Sequence, residues 1–331
     1  MSAGSSLPYR LRPNKAVDRE VFLSLLMRLT PKLALEKYHY VGLGGPFLED
    51  FRLIHARLGI AKMTCIETEK EVHKRQLFNR PIASIDCVHK KLEDYLDETD
   101  FESPAIVWFD YTEPKSITTQ IERFARTIGT VPIGSILRVT LNANPAALGK
   151  PDFKDISVEA EGEVSENRAQ KPTIQEWRLE RFKERLGLLF PSGLTAEGMN
   201  FKTYGLSLLR TLKLAVEKEA LSFRDRRIVW ALATHYADGQ AMVTAALVVC
   251  QNDDDSIEEL LKDWEFCTTL DAPHRLDLPA LSTLERLTME SNEDARNEMG
   301  FELPKSDMGE NPFEVFKKFY RIYPHFSRVE L

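Results

Sequence analysis

The sequence predicts an α/β fold: a doubly wound, mostly parallel sheet that ends in one antiparallel hairpin, with a helical insertion and a helical C-terminal extension. Three observations predict it. Short apolar runs alternate with stretches of helical spacing roughly every 20–25 residues up to Leu141. Several of these runs, such as Ala105–Asp110 (AIVWFD), are apolar on both faces, as strands covered by helices on two sides must be. Two later strands are joined only by Ala237-Asp238-Gly239-Gln240, which is too short for a helix and carries Asp-Gly at its centre, the signature of a hairpin.

The elements follow in order. Val17, Val21, Phe22, Leu25, Leu26 and Leu29 recur at helical spacing, predicting a helix over 16–35 whose last turn is disturbed by Pro31. Tyr38–Gly42 is a β-rich run that ends in glycines. Pro46 then suits the first turn of a helix, which Gly59 stops. Strands at Met63–Glu67, Ile85–Val88, Ala105–Asp110 and Ser135–Leu141 alternate with helices at 70–79 and 116–128. The rhythm then breaks. An acidic stretch, Asp155–Glu166, precedes a charged helix, Thr173–Leu189, with a narrow apolar stripe of Trp177, Phe182, Leu186 and Leu189. A helix over 204–220 and the hairpin strands 227–235 and 241–250 resume the sheet. The expected division is an N-terminal helical segment (1–36), a core (37–142 and 203–252), an inserted cap (143–202) and a C-terminal helical extension (253–331).

With 331 residues, 43% hydrophobic content and only 16 Gly and 17 Pro, the chain is neither disordered nor collagen-like, and it can bury a large core. Its formal charge of −7 disfavours a dedicated nucleic-acid binder. The four cysteines form no CxxC pair, no cluster has metal-ligand spacing, and neither a P-loop nor a Ser-His-Asp signature occurs. No signal-peptide pattern opens the chain, and the longest apolar run, Ala241–Cys250, is too short to span a bilayer, so a cytoplasmic protein is expected.

The chemistry concentrates where strands end. Gly42, Gly44 and Gly45 follow the first strand, and a loop without side chains lets backbone N–H groups approach a ligand. A dinucleotide fingerprint would need a third glycine where Phe47 stands, so that reading fails. Glu67 closes the second strand, where an acid can accept both ribose hydroxyls of a nucleoside cofactor. Asp110 closes the fourth strand, too far ahead of the next helix to be a simple cap. It is a candidate general base, with Tyr111 beside it as a stacking face and donor.

Five β-α units, a hairpin and this glycine–Glu67–Asp110 spacing resemble the class I S-adenosylmethionine-dependent methyltransferases over about 37–142 and 203–250. The whole pattern, including Asn79-Arg80-Pro81 and Asp110-Tyr111, is also similar to uncharacterised bacterial proteins labelled O-methyltransferases. The resemblance implies a Rossmann-like sheet and S-adenosylmethionine bound at Gly42, Gly44, Gly45 and Glu67. It also implies adenine met near Leu92 and Glu93, and a substrate loop Asp110-Tyr111-Thr112-Glu113-Pro114 in which Asp110 orients the methionine amino group. Two positions depart from the family pattern: Tyr40 and Lys91 stand where acids are usual.

Arg12 and Lys15, with Tyr111 and Pro114, are candidate substrate contacts. Arg10, Arg12, Lys15 and Arg19 form a basic cluster suited to phosphate or an acidic group, or simply a solvated helix start. Methyl transfer to an oxygen or nitrogen is the expected reaction, on a small molecule or, alternatively, on RNA or DNA; a catalytically degenerate scaffold is the third reading. The aromatic segment Phe313–Phe326 predicts a packed helix or a subunit or partner interface.

Overall fold

The computed structural model describes residues 12–151, 172–305 and 308–324; the acidic stretch Asp155–Glu166, Arg10 and Phe326 lie outside them. The chain runs through α1 (Pro13–Leu29), β1 (His39–Gly42), α2 (Glu49–Leu58), β2 (Lys62–Glu67), α3 (Lys70–Asn79), β3 (Ile85–His89), α4 (Leu92–Glu98), β4 (Ala105–Asp110), α5 (Ile117–Thr130) and β5 (Ile136–Asn142). It continues with α6 (Ile174–Leu186), α7 (Tyr204–Ala220), β6 (Arg226–Ala237), β7 (Ala241–Gln251), α8 (Ser256–Lys262), β8 (His274–Leu276), α9 (Thr283–Ser291), α10 (Ala295–Met299) and α11 (Pro312–Phe319).

One eight-stranded sheet has the order β3-β2-β1-β4-β5-β7-β6-β8. β1 to β5 are parallel, β7 is antiparallel to both β5 and β6, and β8 adds in parallel to β6. The order reverses between β1 and β4, where connections leave in opposite directions and open a crevice at the carboxyl ends.

Alternation along each strand divides the core in two. Tyr40, Trp108 and Ile136 face one layer with the apolar stripe of α1 and the C-terminal aromatics; Val41, Phe109 and Val139 face the other, with α5 and α7. α1 starts at Pro13, ahead of the expected residue 16, and stops before Pro31. Arg12, at its N-cap, supplies no side-chain cap. The cap comes from the hairpin instead: Asp238 Oδ2 accepts Lys15 N at 2.8 Å and Oδ1 accepts Asn14 Nδ2 at 2.9 Å. The Asp-Gly turn thus also fixes where α1 begins.

The insertion packs α6 onto the α5–α7 side through Phe182 and Leu186, after a Thr173–Glu176 capping box. The aromatic segment forms the packed helix α11, with Phe319 stacked on Phe266 at 5.9 Å. Among the described residues no helix is long and apolar enough to cross a membrane.

Candidate active site

The glycine turn after β1 is shaped by its packing. A Cβ on Gly44 would lie 2.7 Å from Leu48, 2.8 Å from Phe51 and 3.0 Å from Cys65, and Gly45 has φ +53°, where a side chain is strained. Helix α3 holds the turn from behind, with Gln76 Nε2 donating to the Gly45 carbonyl at 3.1 Å and Asn79 Nδ2 to that of Pro46 at 2.8 Å. Asn79, noted in the sequence only as part of a pattern, therefore positions the loop.

Glu67 stands half-buried at the end of β2. Both of its side-chain hydrogen bonds run through Oε1, from Thr68 N (2.7 Å) and Glu69 N (2.8 Å), so Oε2 can take a further donor.

Asp110 ends β4 on the α1 face, 9% exposed. Its Oδ2 faces Lys15 Nζ at 3.5 Å, and its Oδ1 is buried without a hydrogen-bond partner among the described residues. As its distance from the next helix implies, Asp110 is not a cap: Glu113 caps the turn that leads into α5. Burial pushes this carboxyl up, but Lys15, Arg19 and Arg138 together outweigh that and hold it below the ordinary range. Lys15 moves down because burial outweighs the pull of Asp110.

A balanced cluster of charges lies beneath α1. Arg19 pairs with Asp50 at 2.5 Å, and Arg138 pairs with Asp18. The Arg138 guanidinium lies 4.2 Å from the centroids of both Phe22 and Trp108, in the corner formed by these two edge-to-face rings. Asp18 Oδ1 also accepts the hydroxyls of Thr234 (2.6 Å) and Thr244 (3.1 Å). Lys15, Arg19 and Arg138 thus balance Asp18, Asp50 and Asp110 in a largely buried site. Sequence reasoning missed Asp18, Asp50, Arg138 and Asp238. The available signal was Arg138 within the apolar run Ile136–Leu141 and charges on the apolar stripe of α1.

Of the remaining candidates, Arg12 is near enough to this cluster for its charge to act on Lys15 and Asp238. Tyr111 points to the opposite face, and its hydroxyl donates to Glu93 Oε1 at 3.1 Å. Burial raises its phenol above the ordinary range. Leu92 opens α4 with a buried side chain, Pro114 opens a short 3₁₀ turn, and Arg12 is half-buried ahead of α1. Tyr40 is buried edge-on to Phe51 with ring centroids 4.9 Å apart, so it belongs to the core.

The donor set suits a nucleoside with a charged tail: an acid with an oxygen to spare, a turn where Cβ atoms do not fit, and an orphaned buried carboxylate oxygen across the crevice. A sheet of this order, with β7 reversed, defines the Rossmann-like methyltransferase fold. The family model described as "Putative O-methyltransferase" matches residues 7–331, and the chain belongs to that family.

No curated protein matches the chain. Solved structures similar to it include the plantazolicin methyltransferase BamL, solved with SAH, at 12% identity, covering 70% of this chain and 84% of that one with TM-score 0.36. The N-methyltransferase NodS from Bradyrhizobium japonicum WM9 has 8% identity, coverage of 71% and 97%, and TM-score 0.35. A protein titled a probable spermidine synthase, from Corynebacterium glutamicum ATCC 13032, has 15% identity and TM-score 0.34 over 45% of this chain; the chain spans 53% of its length.

Proposed function

We propose that the protein is an S-adenosylmethionine-dependent methyltransferase acting on an oxygen or nitrogen of its substrate. The observation that carries this reading is the orphaned, buried Asp110 oxygen, set across the switch-point crevice from the glycine turn and Glu67. Family membership supports the reaction class.

The bound cofactor supplies an electrophilic methyl carbon on a sulfonium. Glu67 accepts the ribose hydroxyls, and the turn Gly42–Gly45 lets the backbone close on the ligand. The backbone near Leu92 and Glu93 borders the adenine, and Asp110 with the loop to Pro114 borders the reacting end. Such a transfer depends on alignment in a dry site more than on proton removal. A carboxylate held below its ordinary pKa is a weak base, so Asp110 serves better as a partner for an ammonium group than as a proton acceptor. Lys15 and Arg19 are turned towards Asp110 and Asp50, which takes two cations out of any surface for nucleic-acid phosphates.

Calorimetric titration tests the reading. Wild-type protein binds S-adenosylmethionine, and Glu67→Ala, which removes two charge-assisted hydrogen bonds, weakens binding by about 3 kcal/mol, or about a hundredfold. No heat of binding from folded wild-type protein would refute it.

A further inference from the structure

We infer that the sheet edge formed by α3 and β3 docks single-stranded nucleic acid, with its lysines and arginines on phosphates and its exposed rings on bases. The inference goes beyond the cofactor reading, and its test needs no cofactor.

The formal charge of −7 conceals an asymmetry. Residues 70–91 carry six lysines and arginines against Glu71 and Asp86, a net of +4, which leaves −11 for the rest of the chain. These residues form α3 and β3, and β3 is the outermost strand of the sheet, so the cations gather along one edge. Lys70, Arg75, Arg80 and Lys91 are exposed and have no ion pair among the described residues. Lys74 is held by Glu71 in a surface pair that water screens and a phosphate can replace.

Flat apolar faces lie among these cations. Glu71, Lys74, Arg75 and Phe78 fall on one stripe of α3, and with Phe47 and Asn79 they line an open cavity of about 470 Å³. Phe78 is 90% exposed, so its ring contributes little to the core. The Arg75 guanidinium lies 5.3 Å from the centre of the Phe47 ring. Further along the edge His89 stacks on His73 with ring centres 5.4 Å apart. Each donates from Nε2 to a carbonyl, that of Thr68 at 2.9 Å and that of Cys87 at 3.0 Å, which holds both rings in place.

Rings interleaved with cations match a strand whose bases are free to stack and whose phosphates run between them. A duplex keeps its base faces inside, and a purely acidic peptide would satisfy the cations but leave the rings uncovered. The edge also reaches the crevice. His89 is the register partner of Glu67, and α3 holds the glycine turn through Gln76 and Asn79. Lys15 and Arg19, turned inward, take no part.

Fluorescence anisotropy of the full chain with labelled oligo(U), oligo(dT) and a duplex, and with polyglutamate as competitor, tests this. Single strands should bind at 50 mM salt and lose about 50-fold in affinity by 200 mM, as about four phosphate contacts require. Phe78→Ala, at an exposed site, should weaken binding about tenfold with the salt slope unchanged. Arg75→Gln/Arg80→Gln should flatten that slope by about 1.4. The ratio of oligo(U) to oligo(dT) affinity then tells RNA from DNA. No binding of either single strand at 50 mM salt would overturn the inference. So would tighter binding of the duplex, displacement by polyglutamate as effective as by unlabelled strand, or affinity and slope unmoved by these substitutions.

Discussion

Removing Asp18 should cost far more than removing Asp18 and Arg138 together. Arg138 is fully buried, flanked by Phe22 and Trp108, and Asp18 is its anionic partner. Asp18→Ala leaves the guanidinium uncompensated and also strips an acceptor from Thr234 and Thr244. A broken buried pair costs about 3–5 kcal/mol, whereas replacing both partners by apolar groups of similar size is often close to neutral. Asp18→Leu/Arg138→Met should therefore lose less stability than either single change, with a coupling of at least about 2 kcal/mol. Urea unfolding followed by circular dichroism measures this from the shift in midpoint at constant slope. Additive single changes, each under about 1 kcal/mol, would refute the reasoning.

Two further outcomes follow from the same geometry. Burial lowers the pKa of His39, His235 and His274 to about 4, so folding favours their neutral forms; the stability is full above the unfolded value near 6.5 and is lost as pH falls towards 4. At pH 5 this amounts to at most about 2 kcal/mol per histidine, and thermal unfolding between pH 7 and 4.5 should show a steep fall that flat stability would contradict. Gly44→Ala should cost about 1–3 kcal/mol, since its methyl meets Leu48, Phe51 and Cys65 at 3.0 Å or less, and should weaken cofactor binding as the turn shifts; an unchanged unfolding midpoint would contradict the packing argument.

Much of the fold was legible because its signals are local. The α3 limits 70–79, the strand Ala105–Asp110 and the hairpin about Asp238-Gly239 all appear as expected, each bounded by an acid, a proline or a glycine. β8 escaped because three residues carry no periodicity and become a strand only by pairing with β6. α4 escaped because seven residues with two buried leucines fell where the resemblance pointed to a cofactor loop. In the site, Glu67 and Asp110 were visible as acids that end apolar strands. Their surroundings were not: Lys15 and Arg19 read as part of a basic cluster for phosphate or an acidic group, or as a solvated helix start, and only the return of β4, β5 and the hairpin beneath α1 turns them, with Asp18, into a buried, balanced cluster. Tyr111 shows the reverse, since strand alternation sends the residue after Asp110 to the other face.

A crystal structure of the protein soaked with S-adenosylhomocysteine examines the account most directly. Density with the ribose hydroxyls on Glu67 and the sulfur end beside Asp110 is the predicted result. Density in another cleft, or a ligand whose ribose lies away from the end of β2, would contradict it.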